Sequence, residues 1–127
     1  MKYIVETQKS IEQVSEDLIA AVSEHKFGVL HIHNLKETLN NKGLEYDKEC
    51  RVFEVCNPHK AKEIMEIDTS LNLVLPCRVS VYEEDGKILI GMIKPKSLLL
   101  QLSDDKSLIA VAQEVEDTMI KIIQQAI

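Results

Sequence analysis

The amino-acid sequence predicts an α+β fold in two layers: a mainly antiparallel β-sheet with helices packed on one face, in the order βαβαβαββα. Three observations support this prediction. Amphipathic patterns with apolar residues three and four positions apart lie near both ends of the chain and predict helices there. Short runs rich in β-branched residues lie between them and predict strands. Asp85-Gly86 joins two such runs, and this dipeptide favours the tight turn of a β-hairpin.

Composition limits the possible classes of protein. The chain has 127 residues, 45% of them hydrophobic, which is enough for one core, so we expect a single domain over residues 1–127. A net charge of -6 and 4% aromatic residues argue against a nucleic-acid partner, which needs positive charge and stacking rings. No apolar run approaches the ~20 residues of a membrane helix and no signal peptide is recognisable, so we expect a cytoplasmic protein without membrane contact.

The first elements are a strand, a helix and a second strand. "KYIVE" predicts a short strand, and Ser10 with Gln13 forms a capping box that begins a helix. The inward face of that helix consists of Ile11, Val14, Leu18, Ala21 and Val22.

"FGVLHIH" predicts the second strand. Alternation places Phe27, Val29, His31 and His33 on one face, with Leu30 and Ile32 on the other. A short helix should follow, with Asn34 as its N-cap, Glu37 as the partner of that cap, and an end at Gly43 in the left-handed conformation.

The middle of the chain predicts a third strand, "CRVFEVC", followed directly by a helix. Asn57 is the expected N-cap of this helix and Pro58 its first residue. Ala61, Ile64 and Met65 should face inward.

The last third predicts a hairpin and a long helix. "CRVSVYEEDGKILIGMI" supplies both strands, Pro95 begins a connector, and Ser103 or Asp104 caps the final helix. The inward stripe of that helix is Leu108, Val111, Ala112, Val115, Met119 and Ile122. Further apolar residues widen it, namely Ile109, Ile120, Ile123 and Ile127. Two interpretations stay open: a homodimer that hides surplus apolar surface, or a monomer with a deeper core.

Cys56 is the candidate catalytic residue. It stands between a strand and the Asn57-capped helix, where unpaired N–H groups and the helix dipole favour a thiolate. No neighbouring residues complete a nucleophile set, so inert packing of a small apolar side chain is the alternative. The three cysteines, Cys50, Cys56 and Cys77, match no zinc or thioredoxin spacing, and we expect free thiols.

Cys77 and Arg78 lie at the start of the hairpin. Alternation places Cys77 with Val79 and Val81 on one face and Arg78 with Ser80 and Tyr82 on the other. The guanidinium of Arg78 is suited to clamp a carboxylate or phosphate, although a surface salt bridge is the alternative. His31 and His33 are candidate metal ligands, but the sequence supplies no recognised third and fourth ligand and identifies no cofactor.

A longer pattern resembles a known family. The segment from "VFEVCNPHK" to "LPCRVSVYEEDGKILIGMIKP" is similar to the central signature of the "domain of unknown function 302" family, and "VLHIHNLKETLNNKG" to the segment upstream of it. The resemblance implies a compact α+β domain, commonly a homodimer, and implies no activity. Its signature residues in this chain are Cys56, Asn57, Pro58, Leu75, Pro76, Cys77, Arg78 and Val79, whereas Cys50 has no place in it.

Three functions are consistent with these residues, of which one is an interaction protein whose dimer surface is itself the function. The other two involve a site. The first is a homodimeric binding module that holds a small anionic or thiol-reactive ligand, or a soft metal ion, near Cys56, Asn57, Cys77 and Arg78. The alternative is a thiol-dependent enzyme or redox-responsive protein that uses Cys56. Whether the protein is an enzyme is left open.

Overall fold

The computed structural model describes residues 1–127 and confirms the α+β fold. The strands are β1 (Lys2–Thr7), β2 (Gly28–Asn34), β3 (Cys50–Cys56), β4 (Cys77–Glu84) and β5 (Lys87–Ile93). The helices are α1 (Ile11–Glu24), α2 (Leu35–Asn41), α3 (Pro58–Ile67), α4 (Pro95–Leu102) and α5 (Lys106–Ala126), with a 3₁₀ helix at Thr69–Val74. None of these helices is both long and apolar enough to cross a lipid bilayer.

The five strands form one sheet in the order β1-β5-β4-β3-β2, and every neighbouring pair is antiparallel. β4 and β5 form the predicted hairpin. Its turn residues Asp85 and Gly86 have φ angles of 52° and 75°, the positive values that a type I′ turn requires. β1 and β2 are the two edge strands.

One face of the sheet is covered by helices. Its central strands contribute Phe53, Val55, Val79, Val81 and Ile90 to the core, and all five are fully buried. The predicted inward stripe of α5 is confirmed, because each of its six residues is buried. α5 lies in the middle of the helical layer in contact with α1, α3 and α4. Of the residues that widen its stripe, Ile123 is buried and Ile120 partly buried, whereas Ile109 and Ile127 are 44% and 40% exposed.

The predicted caps of the first three helices are confirmed. The side chains of Ser10, Asn34 and Asn57 each accept a hydrogen bond from a backbone N–H in the first turn of the helix that follows. Gly43 follows α2 with a φ of 82°, as predicted.

Two predictions about the end of the chain were wrong. Pro95 begins helix α4 rather than a connector, because Pro is favoured at a first helical position and Leu99 packs into the core. α4 ends with Ser103 as its C-cap, so the final helix begins later than expected and its cap is Asp105.

Two predicted faces also differ in the structure. A β-bulge between Val29 and His31 adds one residue to β2, so Val29 and Ile32 pair with the buried residues Val55 and Phe53 while His31 and His33 lie on the uncovered face. Val29 therefore does not share a face with the histidines. In α3, Met65 is exposed, and Ile64 is the buried anchor of that helix.

The sheet divides at one end. The β4–β5 ladder runs from Glu84 and Lys87 at the turn to Ser80 and Gly91. Beyond that pair, β4 continues to Cys77 paired with β3, and β5 continues to Ile93 paired with β1. The two strands therefore separate, and we call the opening between them the fork.

Candidate functional site

Cys56 and Asn57 form the junction between β3 and α3, as the sequence predicts. Asn57 caps the helix with its side-chain oxygen, which accepts hydrogen bonds from the backbone N–H groups of His59 at 3.0 Å and Lys60 at 3.2 Å. The donors that would stabilise a negative charge at this terminus are thus already occupied by the amide of Asn57. Cys56 receives little of the stabilisation that a free helix terminus offers.

The acidity of the cysteines follows from this arrangement. Burial raises the pKa of the Cys56 thiol above its ordinary value, so the expected preference for a thiolate at Cys56 was wrong. Burial, followed by the charge of Cys56, raises the pKa of Cys77 to about 11. Both residues are therefore protonated thiols at neutral pH, and neither has the depressed pKa that marks a catalytic cysteine.

Cys56, Asn57 and Cys77 line one small cavity. Its other walls come from Pro76 and from apolar side chains of α3 and the core, including Ile64. The volume of about 20 Å³ is room for one water molecule and too small for an organic ligand.

A larger groove lies at the fork, and the Leu-Pro-Cys-Arg segment, residues 75–78, forms part of its lining. Its volume is about 360 Å³, within the lower part of the ~300–1,000 Å³ range of small-molecule sites. The lining residues come from the 3₁₀ helix and the chain after it, from the end of β5 and from the start of α4: Leu73, Val74, Leu75, Pro76, Cys77, Arg78, Met92, Ile93, Pro95 and Leu98. Arg78 is the only charged residue among them.

Arg78 lies on the uncovered face, beside Ser80 and opposite Glu54 of β3. Its guanidinium Nη2 is 3.8 Å from Glu54 Oε1, and the side chain is 68% exposed. A contact of this length at this exposure contributes little stability. Most of the hydrogen-bonding capacity of Arg78 is therefore free.

The two histidines of β2 lie side by side on the same face. The ring centroids of His31 and His33 are 4.4 Å apart in an edge-to-face arrangement, and His33 Nε2 is 3.1 Å from Glu54 Oε1. No group of three or more His, Cys, Asp or Glu side chains in the structure is arranged to hold a metal ion. The pair thus lacks the additional ligands that a metal centre requires.

The structure divides the predicted site into two connected parts. Cys56 and Asn57 face the small cavity, Arg78 faces the groove, and Cys77 lines both. The groove residues from β5 and α4, namely Met92, Ile93, Pro95 and Leu98, did not enter the sequence prediction. Their only sequence signal was the apolar character of the hairpin end, which equally indicates core.

The comparisons with known proteins agree with the fold. Residues 3–126 match the family model described as Domain of unknown function DUF302. The chain is similar to the crystal structure of an uncharacterized conserved DUF302 protein from Bacillus stearothermophilus, with 28% identity, a TM-score of 0.93, and coverage of 99% of this chain and 98% of that one. No match was found among curated proteins. Because the family model spans nearly all of the sequence, the chain belongs to the DUF302 family.

Proposed function

We propose that the protein is a small-molecule binding module, and that its ligand has an apolar body and one anionic group. The groove at the fork supplies the apolar surface, and Arg78 supplies the positive charge at its rim. The observation that carries the proposal is the state of Arg78: an exposed guanidinium beside an apolar groove, with one long contact to a carboxylate.

The three ligand classes that the sequence leaves open differ in how well they fit this site. A thiol-reactive ligand would need an accessible thiolate, whereas the pKa values of Cys56 and Cys77 are raised and their shared cavity is small. A soft metal ion would need further ligands that the surrounding side chains do not provide. An anionic organic molecule fits both the shape and the charge of the groove.

Isothermal titration calorimetry with octanoate and octanol tests this proposal. The two probes share an aliphatic chain, and only octanoate carries a charge. We expect octanoate to bind more tightly, and Arg78→Gln to remove most of the difference, because a hydrogen bond to a charged group contributes about 1.5–3 kcal/mol. A rise in melting temperature with octanoate provides an independent readout.

Lys87→Gln is the matched control. Lys87 lies on the same face at the opposite end of the sheet, is 61% exposed and has one contact of 4.0 Å to Glu6, so its loss removes the same charge away from the groove. Equal effects of the two substitutions would mean that net charge, not the position of Arg78, determines binding. Absence of binding by both probes would contradict the proposal.

Homodimer formation is also part of this proposal. Support comes from β2, an edge strand with no strand partner on its outer side, and from the exposed apolar side chains on it and directly after it, Leu30 (61%), Ile32 (39%) and Leu35 (38%). Leu30→Glu should convert a dimer to a monomer in analytical ultracentrifugation. Ile109→Glu, at a residue that is 44% exposed on α5, makes the same change on the helical layer and should leave the dimer intact. A wild-type monomer at high concentration would contradict this part.

A second candidate function is a redox response of Cys56 and Cys77. One observation favours it, namely that both thiols line the same small cavity. A hydroperoxide would oxidise the two thiols to one disulfide and would itself be reduced to an alcohol and water. Mass spectrometry after peroxide treatment should then show the loss of two hydrogens and a peptide crosslinked through Cys56 and Cys77. Oxidation at Cys50 alone would eliminate this candidate.

A further inference from the structure

A second depression, which we call the hollow, lies on the uncovered face of the sheet. Its volume is about 320 Å³, and it is lined by Lys2, Ile4, Val52, Arg78, Ser80, Tyr82, Gly91, Met92 and Ile93. Three of these residues, Arg78, Met92 and Ile93, also line the groove. The hollow and the groove therefore adjoin at the fork.

The shape of the hollow follows from strand register. Gly91 pairs with Ser80 of β4 on one side and with Ile4 of β1 on the other. These three residues form a row across the sheet, and the middle position of the row has no side chain. A Cβ at Gly91 would lie 3.0 Å from Ile4 Cγ1 and 3.1 Å from the Tyr3 carbonyl oxygen, which is closer than ordinary packing allows. Glycine at this position thus forms the floor, with larger side chains around it.

The hollow is rich in hydrogen-bond donors without protein partners. The side chains of Lys2, Ser80 and Tyr82 make no hydrogen bond or ion pair within the protein, and Arg78 has only its long contact to Glu54. Burial, followed by the charges of Glu84 and Cys50, raises the pKa of Tyr82, so its hydroxyl remains a donor at neutral pH. Two cations and two hydroxyls therefore border the same depression.

We propose that the hollow binds a phosphate monoester head and that the groove holds the aliphatic chain of the same ligand. A phosphate monoester carries about -1.5 to -2 charges at pH 7 and has three acceptor oxygens, which matches two cations and two hydroxyl donors better than a carboxylate does. Arg78 lies where the two compartments adjoin, so it contacts the head while the chain lies against Leu98 and Pro95. This inference rests on the proposed function and specifies the class of its ligand.

The test compares octyl phosphate, octanoate, octanol and inorganic phosphate by calorimetry, below the micelle concentration of each amphiphile. We expect octyl phosphate to bind about tenfold more tightly than octanoate, since it gains contacts to Lys2 and the hydroxyls. Inorganic phosphate alone should bind far more weakly, because it makes no apolar contacts. Added salt should weaken octyl phosphate binding more than octanol binding.

Variants separate the two compartments. Lys2→Gln and Tyr82→Phe should each weaken octyl phosphate by about five- to tenfold and leave octanoate within twofold, while Lys87→Gln changes neither. Circular dichroism confirms that each variant is folded. Equal affinity for octyl phosphate and octanoate, with no effect of Lys2→Gln, would overturn the phosphate assignment and leave the proposed function standing. Inorganic phosphate binding as tightly as octyl phosphate would overturn the link between hollow and groove, and no binding by any probe would overturn both proposals.

Discussion

The thiol of Cys77 should be alkylated very slowly in the folded protein. Burial and the neighbouring Cys56 raise its pKa from the ordinary 9.0 to about 11, so the thiolate fraction at neutral pH falls about a hundredfold. Alkylation requires the thiolate, and iodoacetamide should therefore modify Cys77 about a hundredfold more slowly than a cysteine in the unfolded chain. Peptide mapping by mass spectrometry over a series of pH values gives the rate at each of the three cysteines separately.

Unfolded protein in urea is the control, and there the three cysteines should react at similar rates. In the folded protein the rate at Cys77 should still be rising at pH 10, because the thiol is only partly ionised below a pKa of about 11. A plateau below pH 9 would contradict a raised pKa at Cys77, since it would show that the site favours the thiolate. Slow alkylation that does not change with pH would instead indicate that access of the reagent is limiting.

Four further outcomes follow from the structure. Raising the pH from about 9 to 11 should remove about 2 kcal/mol more of the free energy of unfolding from wild type than from Cys77→Ser, because a pKa raised in the fold stabilises the protein only while the thiol stays protonated; equal pH profiles of the two proteins in urea unfolding would contradict this. Ile64→Ala should lower the free energy of unfolding by about 2–5 kcal/mol, since Ile64 is 1% exposed, and a loss below 1 kcal/mol would show that the cavity wall collapses freely. Asn57→Ala should lower the free energy of unfolding by about 0.5–2 kcal/mol, because the helix loses its cap. The same change frees the N–H groups next to Cys56 and should speed its alkylation. An unchanged alkylation rate would show that the cap does not limit the acidity of Cys56. Gly86→Ala should cost about 1 kcal/mol because φ is 75° there, whereas Gly28→Ala, with nothing within 4 Å of the added Cβ, should change thermal unfolding little.

Local signals in the sequence were sufficient for most of the secondary structure. Asp85-Gly86 predicted the hairpin turn, Asn57 and Pro58 predicted the start of α3, and the apolar stripe of α5 was predicted residue by residue. Each of these depends on interactions between residues a few positions apart, which periodicity and capping chemistry describe directly. The β2 bulge was missed because one extra residue shifts alternation without leaving a composition signal.

The acidity of the cysteines was decided by the tertiary structure. The sequence placed Cys56 correctly at a helix N-terminus, where unpaired N–H groups and the helix dipole are expected to favour a thiolate. The structure shows that Asn57 already satisfies two N–H groups there and that burial dominates the pKa of Cys56. The helix N-terminus stabilises the thiolate, and burial destabilises it. Which effect is larger depends on how far the fold excludes water from the sulfur, and the sequence around Cys56 does not reveal this.

Patterns within the chain were enough to predict the fold class, the family and the face of β4 on which Arg78 lies. The packing of distant segments was needed to place Cys77 between a cavity of about 20 Å³ and a groove of about 360 Å³, and to show that β4 and β5 separate beyond Ser80 and Gly91. The strands separate because each follows its other neighbour, β4 following β3 and β5 following β1. The pairings of β1 with β5 and of β5 with β4 bring Lys2 and Arg78 to one hollow, although the two residues are far apart in the chain.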